Sequence, residues 1–264
     1  MTAVILTAVA FAWAAPGDGR VATDSSSLSS AELQAMIGNL PPDIQRTIVS
    51  DQKDFLSLLV QVLREPKSLT VLVDKEHALP EGFVPPDLVR LSSYHLALSN
   101  NELELRQAVM PELLAMVSAA RRNGITLLLS STYRSYAVQK WVYAREVADY
   151  GQEAADRESA RPGTSQHQLG TAIDFGSITD AFDATPAAVW LSKHAWQYGF
   201  SLSYPKGYEA VTGYRYEGWH YRYIGRAAAL LAKEYFDGVQ QYELLFLHDN
   251  AKELSLLLGA PPSG

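Results

Sequence analysis

The sequence predicts an α+β fold, and three observations predict it. Helical spacing dominates residues 30–65, short apolar runs bounded by turn residues follow from 125 onward, and further helical stretches are interleaved with those runs. Apolar residues make up 47% of the 264 residues, enough to build a core around such a mixture.

Taken in order, residues 1–15 (MTAVILTAVAFAWAA) are apolar, uncharged and close on Ala12-Trp13-Ala14. They read as a signal peptide with small residues at a cleavage site, although no Lys or Arg precedes the run; a retained core helix is the alternative. The run is too short to span a bilayer, which needs ~20 residues, so no stable transmembrane span is expected. Export to the periplasm or cell envelope follows from this reading. Residues 16–29, rich in Gly, Ser and Asp, form a linker.

A helical appendage is expected over 30–65. Ser30 is placed as the cap of a helix over 31–38, and Pro41-Pro42 breaks the chain. Helices over 43–50 and 52–64 follow, with Phe55, Leu58, Leu59, Val62 and Leu63 at helical spacing. Packing on the main body is its first role, docking to a partner or the envelope the alternative.

The main domain is assigned to 69–238. It starts with a short strand and a Pro-rich crossing within 69–90. A long amphipathic helix over 101–123 is interrupted by Pro111 and closed by Gly124. Ile125–Leu129 is continuous apolar sequence and fits a buried strand. A helix over 136–150, a polar loop over 152–164 and a strand over Ala172–Phe175 come next. A helix over 186–198, strands at Phe200–Ser203 and Trp219–Tyr223, and a helix over 226–236 complete it. Residues 239–264 are read as one C-terminal helix over 239–258 and a tail.

Charge and composition exclude several functions. With 22 basic against 29 acidic residues, the net charge of -7 argues against a nucleic-acid binder with a broad basic surface. Cysteine is absent, which rules out disulfides, thiolate metal sites and cysteine nucleophiles; a transition metal must be held by histidine and carboxylate.

Two segments carry the chemistry. Ser165-Gln166-His167-Gln168-Leu169-Gly170-Thr171-Ala172-Ile173-Asp174 runs from a loop into a strand. His167 and Asp174 are seven apart, an odd offset that puts them on opposite faces of a straight strand, so a turn must intervene and Gly170 is placed to supply it. The second segment, Glu217-Gly218-Trp219-His220-Tyr221, adds a histidine with a carboxylate three residues earlier. Two histidines and one carboxylate are the ligands of a catalytic zinc that keeps one position open, and a further carboxylate is needed to take a proton from water.

SQHQLGTAID resembles the SxHxxGxAxD motif, and EGWH the ExxH element, of the D-alanyl-D-alanine carboxypeptidase family. That family includes VanY-type and L,D-carboxypeptidases and shares its fold with the Hedgehog signalling domain. The resemblance covers roughly 69–236. It implies a single zinc ion held by His167, Asp174 and His220, with Glu217 as catalytic base. A further element, Ser131-Thr132-Tyr133-Arg134-Ser135-Tyr136-Ala137-Val138-Gln139, is similar to the family's SxYRSxxxQ pattern. By that likeness Arg134 stabilises the oxyanion, and Tyr133, Ser135, Gln139 and Ser165 contact substrate. Aromatic residues crowd 196–223, and Trp219 and Tyr221 are the two expected to line a groove for peptide and sugar. His77, His95, His194 and His248 are read as structural or surface residues.

The expected activity is therefore zinc-dependent removal of the C-terminal D-Ala from peptidoglycan stem peptides. An endopeptidase or D-Ala-D-Ala dipeptidase of the same family is the neighbouring alternative, and a non-catalytic zinc-stabilised binding module the distant one. Retention of both Glu217 and Arg134 favours an enzyme.

Overall fold

The computed structural model describes residues 28–258; the signal-peptide assignment at 1–15, nearly all of the linker and the tail from 259 lie outside the described residues. Three helices open the chain: α1 (Ser30–Ile37), α2 (Pro42–Ser50) and α3 (Gln52–Arg64). The cap of α1 is Ser29 rather than Ser30, closed by a capping box in which Glu32 reaches back to the Ser29 backbone N–H.

A small antiparallel pair, β1 (Leu88–Arg90) with β3 (Glu104–Arg106), flanks the main sheet. Between them lies β2 (Ala97–Leu98). The helix expected over 101–123 is therefore shorter. Its first part pairs as β3, and α4 covers Met110–Arg122. Pro111 lies in the first turn of α4, where no backbone N–H is required, so it starts the helix and does not interrupt it. No strand forms at 69–75; the Leu69 and Val71 carbonyls accept from the buried Arg222 guanidinium in place of a ladder.

Next come β4 (Leu128–Ser131), α5 (Tyr136–Tyr150) and α6 (Gln152–Glu158). The apolar run 125–129 enters the sheet only at its end. The stretch expected to be a loop over 152–164 begins as α6, which buries only Ala155 and so shows no apolar stripe to read. Then follow β5 (Ala172–Phe175), α7 (Pro186–His194), β6 (Phe200–Leu202), the single turn α8 (Glu209–Thr212) and β7 (His220–Tyr223). The chain continues through α9 (Arg226–Tyr235), α10 (Gln240–Asp249) and α11 (Ala251–Leu256). Two helices thus replace the one expected over 239–258, because Asn250 leaves helical geometry and its side chain turns back to the Phe246 carbonyl.

The five-stranded sheet runs β2-β4-β5-β7-β6, with β2 parallel to β4 and the other neighbours antiparallel. One apolar cluster joins this sheet to α4 and α7. A second joins α1–α3 to α9–α11, with Phe55 edge-on to Tyr235 at 5.2 Å and to Phe246 at 6.0 Å. The opening helices are packed by the same aromatic contacts that hold the closing ones. No helix among the described residues is long and apolar enough to cross a membrane.

Candidate metal centre

Asp174 sits on the central strand β5, directly paired in register with His220 at the start of β7. Across β5 its other neighbour is Ser131, where a bulge irregularity in β4 redirects the chain toward Arg134. His167 comes from a single 3-10 turn, Gln166–Leu169, capped by Ser165 and closed by Gly170 in the left-handed conformation at φ 67°. This is the turn that the odd spacing of His167 and Asp174 demands. It brings His167 Nε2 to 3.1 Å from Asp174 Oδ2, while His220 Nδ1 lies 3.0 Å from Asp174 Oδ1. The two imidazole rings stand 4.8 Å apart and nearly perpendicular, and all three side chains are buried.

The outer nitrogens of the rings decide what the inner ones offer. His167 Nδ1 lies 2.7 Å from the Thr132 carbonyl, which can only accept, so Nδ1 carries the proton and Nε2 presents a lone pair. His220 Nε2 is 3.3 Å from Gln166 Oε1, which likewise leaves Nδ1 unprotonated. Two lone pairs therefore face the two oxygens of one carboxylate. Asp174 Oδ1 is buried and accepts no hydrogen bond. Charging His167 instead is opposed by burial, which pushes its pKa down despite the Asp174 charge, with Arg134 nearby acting in the same direction as burial. A cation among the three groups resolves the conflict, and a set of two imidazoles and one carboxylate suits zinc.

Glu217 opens the turn that leads into β7, with Oε2 3.7 Å from His220 Nδ1. Burial, joined by the charge of Asp174, pushes its carboxyl up to about 7. Arg134 lines the same cavity as these residues. Its guanidinium donates to Gln139 Oε1 and Ser131 Oγ, both at 2.9 Å. Burial lowers its pKa, and Asp174 and Glu217 work against that fall; guanidinium stays charged at any relevant pH.

His167, Asp174, His220, Glu217, Arg134, Gln139, Ser165 and Trp219 all line one cavity of about 310 Å³. Three sequence-predicted contacts are not among its lining residues. The Ser135 hydroxyl caps α5 by accepting from the Val138 N–H. Tyr133 follows the end of β4, its N–H bonded to the Glu104 carbonyl. Tyr221, one residue past His220, points to the other side of β7 and packs on Phe175 at 6.0 Å. Gln139 is buried with its amide already engaged by Arg134 and the Ala160 carbonyl, so it braces the arginine.

The structure adds residues that spacing did not single out. Tyr204 lies 4.9 Å from the His220 ring and packs at a tilt against Tyr214. Arg215 covers Trp219 at 5.3 Å and pairs with Glu158 and Asp180. Glu146 and Glu158 bring carboxylates from α5 and α6 to the rim. Gln166 stands between the motif's Ser165 and His167, yet nothing in spacing marks it as the partner of His220.

An α+β sheet whose central strand offers a carboxylate between two oriented imidazoles defines a protein equipped to hold a metal ion. Residues 102–226 match the model of the VanY family, D-alanyl-D-alanine carboxypeptidase. The chain is 34% identical over 196 residues to "Putative carboxypeptidase YodJ" of Bacillus subtilis (strain 168), covering 69% of this chain and 72% of that one. Among solved structures, the LdcB LD-carboxypeptidase superposes with a TM-score of 0.62 at 33% identity, covering 69% of this chain and 87% of that one. A mutant of the D,D-pentapeptidase VanY, solved in complex with Zn(II), gives 0.56 at 30% identity, covering 67% and 99%. The chain belongs to the VanY D-alanyl-D-alanine carboxypeptidase family.

Proposed function

We propose that this chain is an exported zinc carboxypeptidase that removes the C-terminal residue, D-Ala, from peptidoglycan stem peptides. The observation that carries the reading is the convergence, in one cavity, of an oriented His167–Asp174–His220 cluster, a buried Glu217 and a half-buried Arg134. Relatives named for D-alanyl-D-alanine and L,D-carboxypeptidase activity support the substrate class. The apolar segment at 1–15 supports export.

Zinc held by His167, Asp174 and His220 would supply Lewis acidity, polarising the scissile carbonyl and making water acidic enough to attack near neutral pH. Glu217 takes the water proton on its carboxylate and returns it to the departing amine. A divalent charge beside it would stabilise the ionised form and so offset the proton affinity that burial raises. Arg134, held by Gln139 and Ser131, places a fixed cation where the tetrahedral oxyanion develops. Trp219 and Ser165 form walls against which the peptide lies, and Arg215 and Glu158 bound its entrance.

The test is digestion of purified muropeptides bearing tripeptide, tetrapeptide and pentapeptide stems, with and without chelator, followed by mass spectrometry. Loss of one alanine mass from tetrapeptide or pentapeptide, abolished by chelator and restored by zinc, is the expected outcome. Products cut inside the stem, or turnover that persists without metal, would refute the assignment.

A further inference from the structure

We propose that Gln240, on α10 and outside the residues 102–226 matched by the family, is a positioning residue that sets the tautomer of His220 through Ser203 and Gln166. The proposal rests on His220 being a metal ligand.

The chain of contacts is short and wholly buried. Gln240 Nε2 lies 3.1 Å from the Ser201 carbonyl and 2.9 Å from Ser203 Oγ. Ser203 Oγ lies 2.7 Å from Gln166 Oε1, and the same oxygen faces His220 Nε2 at 3.3 Å. Ser203 is itself fixed, because its N–H donates to the His220 carbonyl at 3.1 Å.

A chain of amide, hydroxyl and amide can in principle run in either direction, since a hydroxyl both donates and accepts and an amide can turn over. One contact removes the freedom. The Ser201 carbonyl can only accept, so the end of Gln240 that faces β6 must be its NH2 group. That group then donates to Ser203 Oγ, whose own proton has Gln166 Oε1 as its acceptor. With the Gln166 oxygen facing it, His220 must carry its proton on Nε2, and Nδ1 is left with the lone pair aimed at Asp174. Reversal would put the Gln166 NH2 against Nε2, move the proton to Nδ1 and close that position to a cation. His167 needs no such relay, because a backbone carbonyl fixes it directly. The polarity of one ligand is thus set about three side chains away, by a helix that contributes nothing to the cavity lining.

The substitution that separates polarity from packing is Gln240→Glu, which keeps the shape and removes both N–H donors. The carboxyl group then accepts from Ser203, the serine proton leaves Gln166, and the relay reverses. In metal-free protein, long-range proton–nitrogen NMR reads the His220 tautomer directly; zinc affinity is read by competition with a chelator of known strength. Wild-type protein should show Nε2–H. Gln240→Glu should show Nδ1–H and a zinc Kd weakened by about 10–100-fold. If Gln240→Glu does not fold, Ser203→Ala cuts the same relay from the other side and should give mixed tautomers with about tenfold weaker zinc binding. Gln241→Met, on the same helix, is the control for packing: it loses only its bond to Asp74, in the segment before β1, and should leave both readouts unchanged. Wild-type tautomer and affinity in either relay variant would overturn the proposal, as would an equal loss in Gln241→Met. A wild-type protein that shows Nε2–H but binds no zinc would instead overturn the metal reading beneath it.

Discussion

Replacing Glu217 with glutamine separates what this carboxylate does for the reaction from what it costs the fold. The side chain keeps its size, so the walls of the cavity and the three ligands stay in place, and zinc content measured by mass spectrometry should be unchanged. Turnover should fall about 10²- to 10⁴-fold, the range for removing a general base, or roughly 3–5 kcal/mol of barrier. Stability should move the other way. Burial raises the Glu217 pKa from its ordinary 4.5 to about 7. Below pH 4.5 the carboxyl is protonated both folded and unfolded, and the substitution should change nothing. As pH rises from 4.5 toward 7 the unfolded chain ionises freely while the folded one resists, so the wild type loses stability that the glutamine variant keeps. At 1.36 kcal/mol per tenfold difference in proton affinity, the gap reaches about 3 kcal/mol at pH 7 and stays nearly level above it. For a domain of this size that is a melting temperature about 6–12 °C higher. The assay is thermal unfolding of both proteins in chelator from pH 4 to 8. A melting difference that is the same at pH 4 and pH 8 would refute the desolvation argument. Turnover within tenfold of wild type would refute the base, and loss of zinc would make Glu217 a ligand.

Arg134→Ala should lower kcat about 10²- to 10³-fold with KM within about threefold, measured by alanine release from a pentapeptide; a change confined to KM would assign the arginine to substrate binding. Gly170→Ala should destabilise by about 1–3 kcal/mol, because an L residue is strained at φ 67° and its Cβ would meet Arg106 and Leu88 at 3.0 Å. Since that turn sets His167 against Asp174, zinc affinity by chelator competition should fall as well. Phe55→Ala empties a fully buried site among Tyr235, Phe236 and Phe246 and should cost about 3–5 kcal/mol. Calorimetry should show one lowered transition; an early separate melt of α1–α3 would mean they fold on their own.

Elements with an unmixed signal were legible in the sequence. Tyr136–Tyr150 and Gln52–Arg64 carry helical spacing and clear ends, and Ala172–Phe175 is a short apolar run between turn residues. The failures share a cause in tertiary structure. Residues 104–106 have a helical pattern around them and become strand because Leu88–Arg90 is there to pair with. The 152–158 helix lies on the surface with a single buried residue, so no periodicity reports it. At the site, His167, Asp174, His220 and Glu217 were readable because two motifs fix residue type and order together. Tyr221 was misplaced because strand phase depends on where β7 starts, and a single residue exchanges cavity for core. Gln166, Ser203 and Gln240 act through donor and acceptor direction between distant segments, which residue spacing does not encode.

Asp174 and His220 are opposite numbers on neighbouring strands, and that pairing makes the ion a witness to assembly. Sliding β7 by one residue would turn the imidazole to the far side of the sheet and leave the carboxylate facing tyrosine. A misaligned chain would keep only His167 and Asp174 to hold a cation, so mass action favours the correctly threaded sheet. Metal uptake during refolding should accordingly trail the formation of secondary structure and coincide with the last step, in which the strands lock into place.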